Sequence, residues 1–173
     1  MTTIDDTPCL IDSYPWSNVV WAHGSEHLMV SNKRDLWHWT PISGKFSFFL
    51  TLEIPGYVSL HDVAQIFWSP DDRLIACISG ITSGEVSRPK GMRWDKHAHW
   101  LVRRSVADLA FIDVERSKIL SRFQFKTIGL LEWSKSSELA HIRVRDESHG
   151  DPYICYVIDP RTGDREQGSF PAD

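Results

Sequence analysis

Six cations and two tryptophans crowd into one short stretch of this chain. Between Ile81 and Ala107 stand Arg88, Lys90, Arg93, Lys96, Arg103 and Arg104, opposed only by Glu85 and Asp95. Trp94 and Trp100 lie among them, with His97 and His99 close by. The stretch carries a local balance of +4, whereas the whole chain carries −4. Cations attract a partner at long range, and tryptophans supply contact area at low entropic cost. That chemistry is recognition. It fits a loop that grips a protein surface, a contact to phosphates or nucleic acid, or a solvated hairpin whose tryptophans fold back on the body.

Other residues invite catalytic or metal chemistry and do not sustain it. His97 and His99 alternate around Ala98, which sets two imidazoles on one strand face. Zinc needs a third ligand and an oriented outer shell, and no third ligand is signposted. His23 and His27 stand four apart, but in a turn context. Ser25 lacks the glycine-flanked elbow of a hydrolase nucleophile. No glycine pattern marks a phosphate or dinucleotide loop. Asp71-Asp72 reads as a turn, and Asp5-Asp6 as a frayed end. The expectation is a protein that is not an enzyme, with no cofactor and no metal.

The 173 residues suffice for one domain with a sizeable core. Hydrophobic content of 42% and charge of 24% are ordinary for a soluble globular chain. Eight Trp and eight Phe suit strands, where flat rings pack across sheet faces. Cys9, Cys77 and Cys155 are odd in number and widely spaced, so they read as reduced thiols. The N-terminus has neither a basic start nor an apolar run, and no stretch approaches the ~18 apolar residues of a membrane helix. A cytoplasmic protein without membrane contact is expected.

The elements that must position the basic loop are strands. Residues 1–17 form a polar lead-in, in which Cys9-Leu10-Ile11 can add to a sheet edge. Strand signals then run 18–22, 27–31, 36–39 and 46–54. They resume at 64–69, 73–79, 108–113 and 118–125, and again at 130–134, 138–145, 153–158 and 165–170. Residues 81–107 are extra to the second set. Two markers recur in step. A tryptophan-led turn follows Trp21, Trp68 and Trp133, and a second turn spans Thr40–Lys45, Asp113–Lys118 and Asp159–Asp164. Repetition of two markers in one order signals a structural repeat.

In the middle copy Trp68-Ser69-Pro70-Asp71, with Ile75 and Ala76, precedes Phe111-Ile112-Asp113-Val114 and Lys118. In the last copy Trp133-Ser134, with Leu139 and Ala140, precedes Val157-Ile158-Asp159-Pro160 and Gly163. These phrases resemble the blade repeat of TolB-type and tryptophan–aspartate-repeat β-propellers. The resemblance implies an all-β protein of three four-stranded antiparallel blades at about 18–54, 64–125 and 130–170. The middle blade carries the long insertion 81–107, and residues 1–173 form a single propeller-like domain. Closed propellers have about four to eight blades. Three blades imply an open ring, or one completed by another chain, for which a homodimer is a candidate. Ala140, Ile142 and Val144 share one face of their strand, and His141, Arg143 and Arg145 the other, so the last blade is expected to bury only one side.

Blades of this kind serve many tasks, so function rests on the loop. The leading expectation is a protein-binding module using Arg88, Lys90, Arg93, Trp94, Lys96, His97, His99, Trp100, Arg103 and Arg104. The chain's size and acidic body resemble small bacterial immunity proteins, antitoxins that bind and neutralise a cognate toxin. The alternative is a nucleic-acid binder acting through the same loop, whose affinity would fall steeply with salt.

Overall fold

The computed structural model describes residues 18–52, 63–85, 102–145 and 153–169, and the described residues contain no helix. Twelve strands follow one another: β1 (Asn18–Trp21), β2 (Leu28–Asn32), β3 (Asp35–Trp39), β4 (Phe46–Thr51), β5 (Val63–Trp68), β6 (Leu74–Glu85), β7 (Val102–Asp113), β8 (Lys118–Phe125), β9 (Ile128–Trp133), β10 (Ala140–Arg145), β11 (Tyr153–Ile158) and β12 (Arg165–Gln167). They form three separate four-stranded sheets, each a simple meander in chain order. All the strand pairs are antiparallel.

The sheets stack through side chains and share no strand ladder. One core joins the first sheet to the second through Met29, Leu36, Phe49 and Leu52 against Ile66, Trp68, Ile75, Cys77, Ala110 and Ile112. The other joins the second to the third through Ala76, Ile78, Leu109, Phe111 and Phe125 against Leu131, Ala140, Ile142 and Ile158. Ala76 and Cys77 are adjacent on β6 and belong to opposite cores. The middle sheet is thus covered on both faces, as its unbroken apolar run demands. On β10, Ala140 and Ile142 are fully buried whereas His141 and Arg143 are half-buried on the other face. The side chain of Arg145 lies outside the described residues.

The repeat is visible in backbone geometry. Ser25, Asp72 and Ser137 each stand four residues after their tryptophan, and each has a left-handed backbone, with φ of 57°, 57° and 62°. Few L-residues tolerate that region, and Asp does so better than most. The closing hydrogen bonds also match: the amides of Ala22, Ser69 and Ser134 donate to the carbonyls of His27, Leu74 and Leu139. The second marker repeats in the same way, with Gly44, Ser117 and Gly163 left-handed at equivalent places.

Asp71 and Asp72 join the turn to both neighbours. The Asp72 carboxylate accepts hydrogen bonds from the amides of His23 (2.8 Å) and Gly24 (2.7 Å) in the first sheet's turn. The Asp71 amide donates to Ser137 Oγ at 3.0 Å in the third sheet's turn. Within its own turn, the Ser69 hydroxyl donates to Asp71 at 2.7 Å, and the Leu74 amide donates to that hydroxyl at 2.9 Å.

The stretch read as an insertion is partly strand. β6 and β7 stay paired out to Glu85 and Val102, whereas β5 and β8 stop at the level of Ser79 and Ala107. Residues 81–85 and 102–106 therefore extend the two central strands beyond their sheet. Cys77 is fully buried, and burial pushes its thiol up, away from the reactive thiolate. Cys155 is half-buried, and both are free thiols. Cys9 and the suggested edge strand beside it lie outside the described residues.

Replacing Asp72 by Ala removes two charged acceptor interactions and puts a poorer residue in the left-handed region. A loss of about 2 kcal/mol is expected in urea unfolding. Asp72→Asn keeps an acceptor and the backbone tolerance, so about half that loss is expected. Equal midpoints for both variants and the parent would remove this turn from the forces that set blade order.

Candidate functional site: a cleft between the first two sheets

Turns from different parts of the chain open a cleft of about 650 Å³. Gly24 and Glu26 come from the β1–β2 turn, Asp71, Asp72 and Arg73 from the β5–β6 turn, and Val114, Glu115 and Ser117 from the β7–β8 turn. His27, His38, Ser47, Phe48 and Phe49 of the first sheet form a wall. The volume is that of a pocket able to hold a small molecule or a few side chains of a partner.

Two of the carboxylates are structural. Burial pushes the Asp72 carboxyl up, but the Gly24 and His23 donors outweigh it and hold it below the ordinary range. Burial likewise raises Asp71, and hydrogen bonds from Ser69, Arg73 and Ser137 bring it below. Both are therefore ionised near neutrality, and Glu26 and Glu115 stand at the rim. With Arg73 as the cation among the described lining residues, the cleft favours a positively charged visitor.

The wall holds a histidine pair. His27 Nδ1 lies 2.8 Å from His38 Nε2, and the rings are nearly parallel with centroids 5.0 Å apart. One nitrogen must carry the proton and the other accept it. His38 also meets Phe49 edge to face, at 6.0 Å. Burial first, and then the neighbouring His27, lower the pKa of His38. It is held neutral where a free imidazole would be half-charged. No group of three or more metal-ligating side chains occurs among the described residues.

The residues singled out by sequence lie elsewhere. Arg88, Lys90, Arg93, Trp94, Lys96, His97, His99 and Trp100 lie outside the described residues. Arg103 and Arg104 fall on β7, their backbones paired with Gly84 and Ser83, and their side chains are likewise not described. The strand path sets the two regions apart: the cleft gathers the β1–β2, β5–β6 and β7–β8 turns, and the β6–β7 hairpin leaves from the other end of the sheet. Sequence reading missed the cleft. It noted His23 and His27 only as four apart in a turn; in the structure His23 meets Asp72 at 3.1 Å and His27 meets His38. The signal that could have found it was the β2–β3 hairpin. Its register sets His38 opposite Met29, so His27, two residues from Met29, is a diagonal same-face neighbour.

The lowered pKa of His38 fixes a sign. The unfolded chain takes up this proton first, near pH 6.5, so the contribution is full above that value and is lost as pH falls below it. The urea midpoint should drop between pH 7.5 and 5.5, and His38→Gln should shrink that drop. An unchanged drop in the variant would exclude His38 as its source.

No family model matches the chain, and no curated protein matches it. Solved structures do. The uncomplexed acylaminoacyl peptidase of Pyrococcus horikoshii is similar over 88% of this chain and 24% of its own, with 12% identity and a TM-score of 0.62. A eukaryotic initiation factor is similar over 90% of this chain and 33% of its own, at 12% identity and a TM-score of 0.53. The β-propeller domain of the Trilobed protease from Pyrococcus furiosus, described as having an open velcro topology, matches over 91% and 43%, at 15% identity and a TM-score of 0.51. The chain thus spans less than half the length of each. The expectation that the protein is not an enzyme is corrected here. Peptidases are among the structures it resembles, and the likeness is confined to their propeller portion. Blades of this kind form part of enzymes, so missing catalytic motifs in such blades are no argument against an enzymatic protein. What these likenesses show is the fold: an all-β stack of β-propeller-like blades that does not close on itself.

Proposed function

We propose that this chain is a protein-interaction module that offers its partner the β6–β7 hairpin, with the acidic cleft as a second contact at the other end of the strands. One observation carries the reading. β6 and β7 pair through twelve successive positions, from Leu74↔Asp113 to Glu85↔Val102, and so run past both flanking strands. A paired stem of that length is an ordered base for the residues between its two strands, and ordering that is already in place lowers the cost of binding. Those residues include Arg88, Arg93, Trp94 and Trp100, the types enriched where proteins grip one another.

Charge supports the finer form of the proposal. The hairpin is basic and the rest of the chain strongly acidic. A bacterial immunity protein would use one of these surfaces against a cognate toxin: the acidic body against a basic nuclease, or the hairpin against an acidic cleft. The cytoplasm is the proposed compartment.

Affinity capture from the native cell tests the reading. A stoichiometric protein partner should be recovered with the parent chain and lost with Trp94→Ala combined with Arg93→Glu. Glu115→Lys at the cleft rim should weaken it less. Recovery of nucleic acid instead, with affinity falling steeply between 50 and 200 mM salt, would replace this reading by the nucleic-acid one.

A further inference from the structure

The two histidines in the cleft wall meet in a way that their distances define. His27 Nδ1 and His38 Nε2 lie 2.8 Å apart, the ring centres lie 5.0 Å apart, and the planes are inclined by 13°. An imidazole nitrogen sits about 1.1 Å from the centre of its ring, so both facing nitrogens must lie almost on the line joining the centres. The rings therefore meet edge to edge in nearly one plane and are not stacked face to face. Each nitrogen aims its hydrogen or its lone pair straight at the other. Such an in-line N–H···N bond needs one hydrogen between the rings, neither none nor two.

Both rings lean on the seam between the first two sheets. His27 lies 6.1 Å from Trp68 of β5, and His38 meets Phe49 of β4 at 6.0 Å. Trp68 and Phe49 belong to the core that joins those sheets. Trp68 also donates its ring N–H across the seam to the Val20 carbonyl, at 3.2 Å. The charged groups around the pair come from three turns: Glu26 from β1–β2, Asp71, Asp72 and Arg73 from β5–β6, and Glu115 from β7–β8. β4 contributes Ser47 and Phe48 beside Phe49, and no charge. Asp71 is engaged by Ser69 and the Arg73 amide, and Asp72 by Gly24 and His23. Among the described residues neither ring of the pair has a carboxylate within hydrogen-bond distance.

We infer that the pair is a proton-operated latch on this seam: one hydrogen between the rings holds it shut, and acid that places a hydrogen on both facing nitrogens opens it. The first proton to arrive binds a nitrogen turned away from the contact, and the shared hydrogen stays. The next proton takes the lone pair that accepted the bond. Two N–H groups then face each other on two cations, at a separation that only a hydrogen bond tolerates. The rings part, and Trp68 and Phe49 lose the surfaces they lean on. Burial first, and then His27, lower the pKa of His38, in keeping with a second proton that enters only below the ordinary imidazole range. The response is local, because the described core between the second and third sheets contains no histidine. The latch needs no partner in the cleft, so it stands or falls separately from the proposed function.

Amide hydrogen exchange on the full chain tests this, with rates corrected for the intrinsic effect of pH. The Ala22 and Ser69 amides close the two turns beside the pair, and the Ser134 amide closes the equivalent turn of the third sheet. Between pH 7.5 and about pH 5, Ala22 and Ser69 should lose about tenfold in protection relative to Ser134. His27→Gln and His38→Gln should each abolish that difference. Imidazole nitrogen spectra of the parent supply a measure that needs no variant: one hydrogen shared by the facing nitrogens at pH 7.5, and both protonated only where the seam opens. Equal loss of protection in all three turns overturns the latch. So does a seam response that survives in both variants, or a pair of rings that titrate independently of each other.

Discussion

Three sheets with no shared strand are tied by polar links such as Trp68 to Val20, Val63 to Lys33 and Ser121 to Pro160, and one turn reaches both of its neighbours. The Ser69–Arg73 corner reaches forward to Ser137 with a backbone amide and backward to His23 and Gly24 with a carboxylate. Apolar burial supplies most of the attraction between sheets, but it is not directional and does not fix which strand end faces which. The polar links do. The link through Asp72 uses its left-handed backbone, a corner that turns the carboxylate towards the first sheet. Gly24 belongs to the same constraint: a Cβ there would lie 3.2 Å from Asp72 Oδ2, so a side chain would press on the link itself.

The constraint explains what was legible in the residues. Trp68-Ser69-Pro70-Asp71-Asp72 announces a tight turn because each type has a backbone reason to be there, and its looser copies at Trp21 and Trp133 announce the repeat. Strand order was then legible too, since short turns between strands leave little choice but a meander. The face assignment of β10 was also readable, because strict alternation around Ala140 and Ile142 sorts its two sides. The cleft was not readable. Its walls come from turns around residues 24, 72 and 115, whose meeting depends on how one sheet lies upon another. The histidine pair was hidden for a subtler reason. Spacing along the chain shows only His23 and His27 in a turn, whereas strand register joins His27 to His38. The extended length of β6 and β7 was missed because Arg103, Arg104 and their neighbours read as loop chemistry, while the backbone simply continues its ladder.

Charge is divided along the sequence. The ionised, backbone-anchored carboxylates of the turn line the cleft at one end of the strands, and the paired extension of β6 and β7 leaves from the other. The core face of the third sheet ends on a cation: Arg165, opposite Ile158, lies over Phe125 and Tyr156 at 5.7 and 5.4 Å, so a charge at the sheet's edge is tied to aromatic surface.

Stacked repeats are stabilised by their neighbours, and a sheet with two neighbours is more stable than a sheet with one. Here the middle sheet contributes to both cores, and the outer sheets to one each. The first sheet has a face built for burial, yet it stands at the end of the stack. Its inner side tolerates His38, Ser31 and Asn18, because hydrogen bonds such as that from Asn18 to Ser31 satisfy them. Its outer side carries eight apolar residues in two unbroken rows. Leu28 and Val30 at its centre are buried, and such burial stabilises because it removes apolar area from solvent. The first sheet is therefore shaped as an interior sheet although it lies at the edge of the described fold.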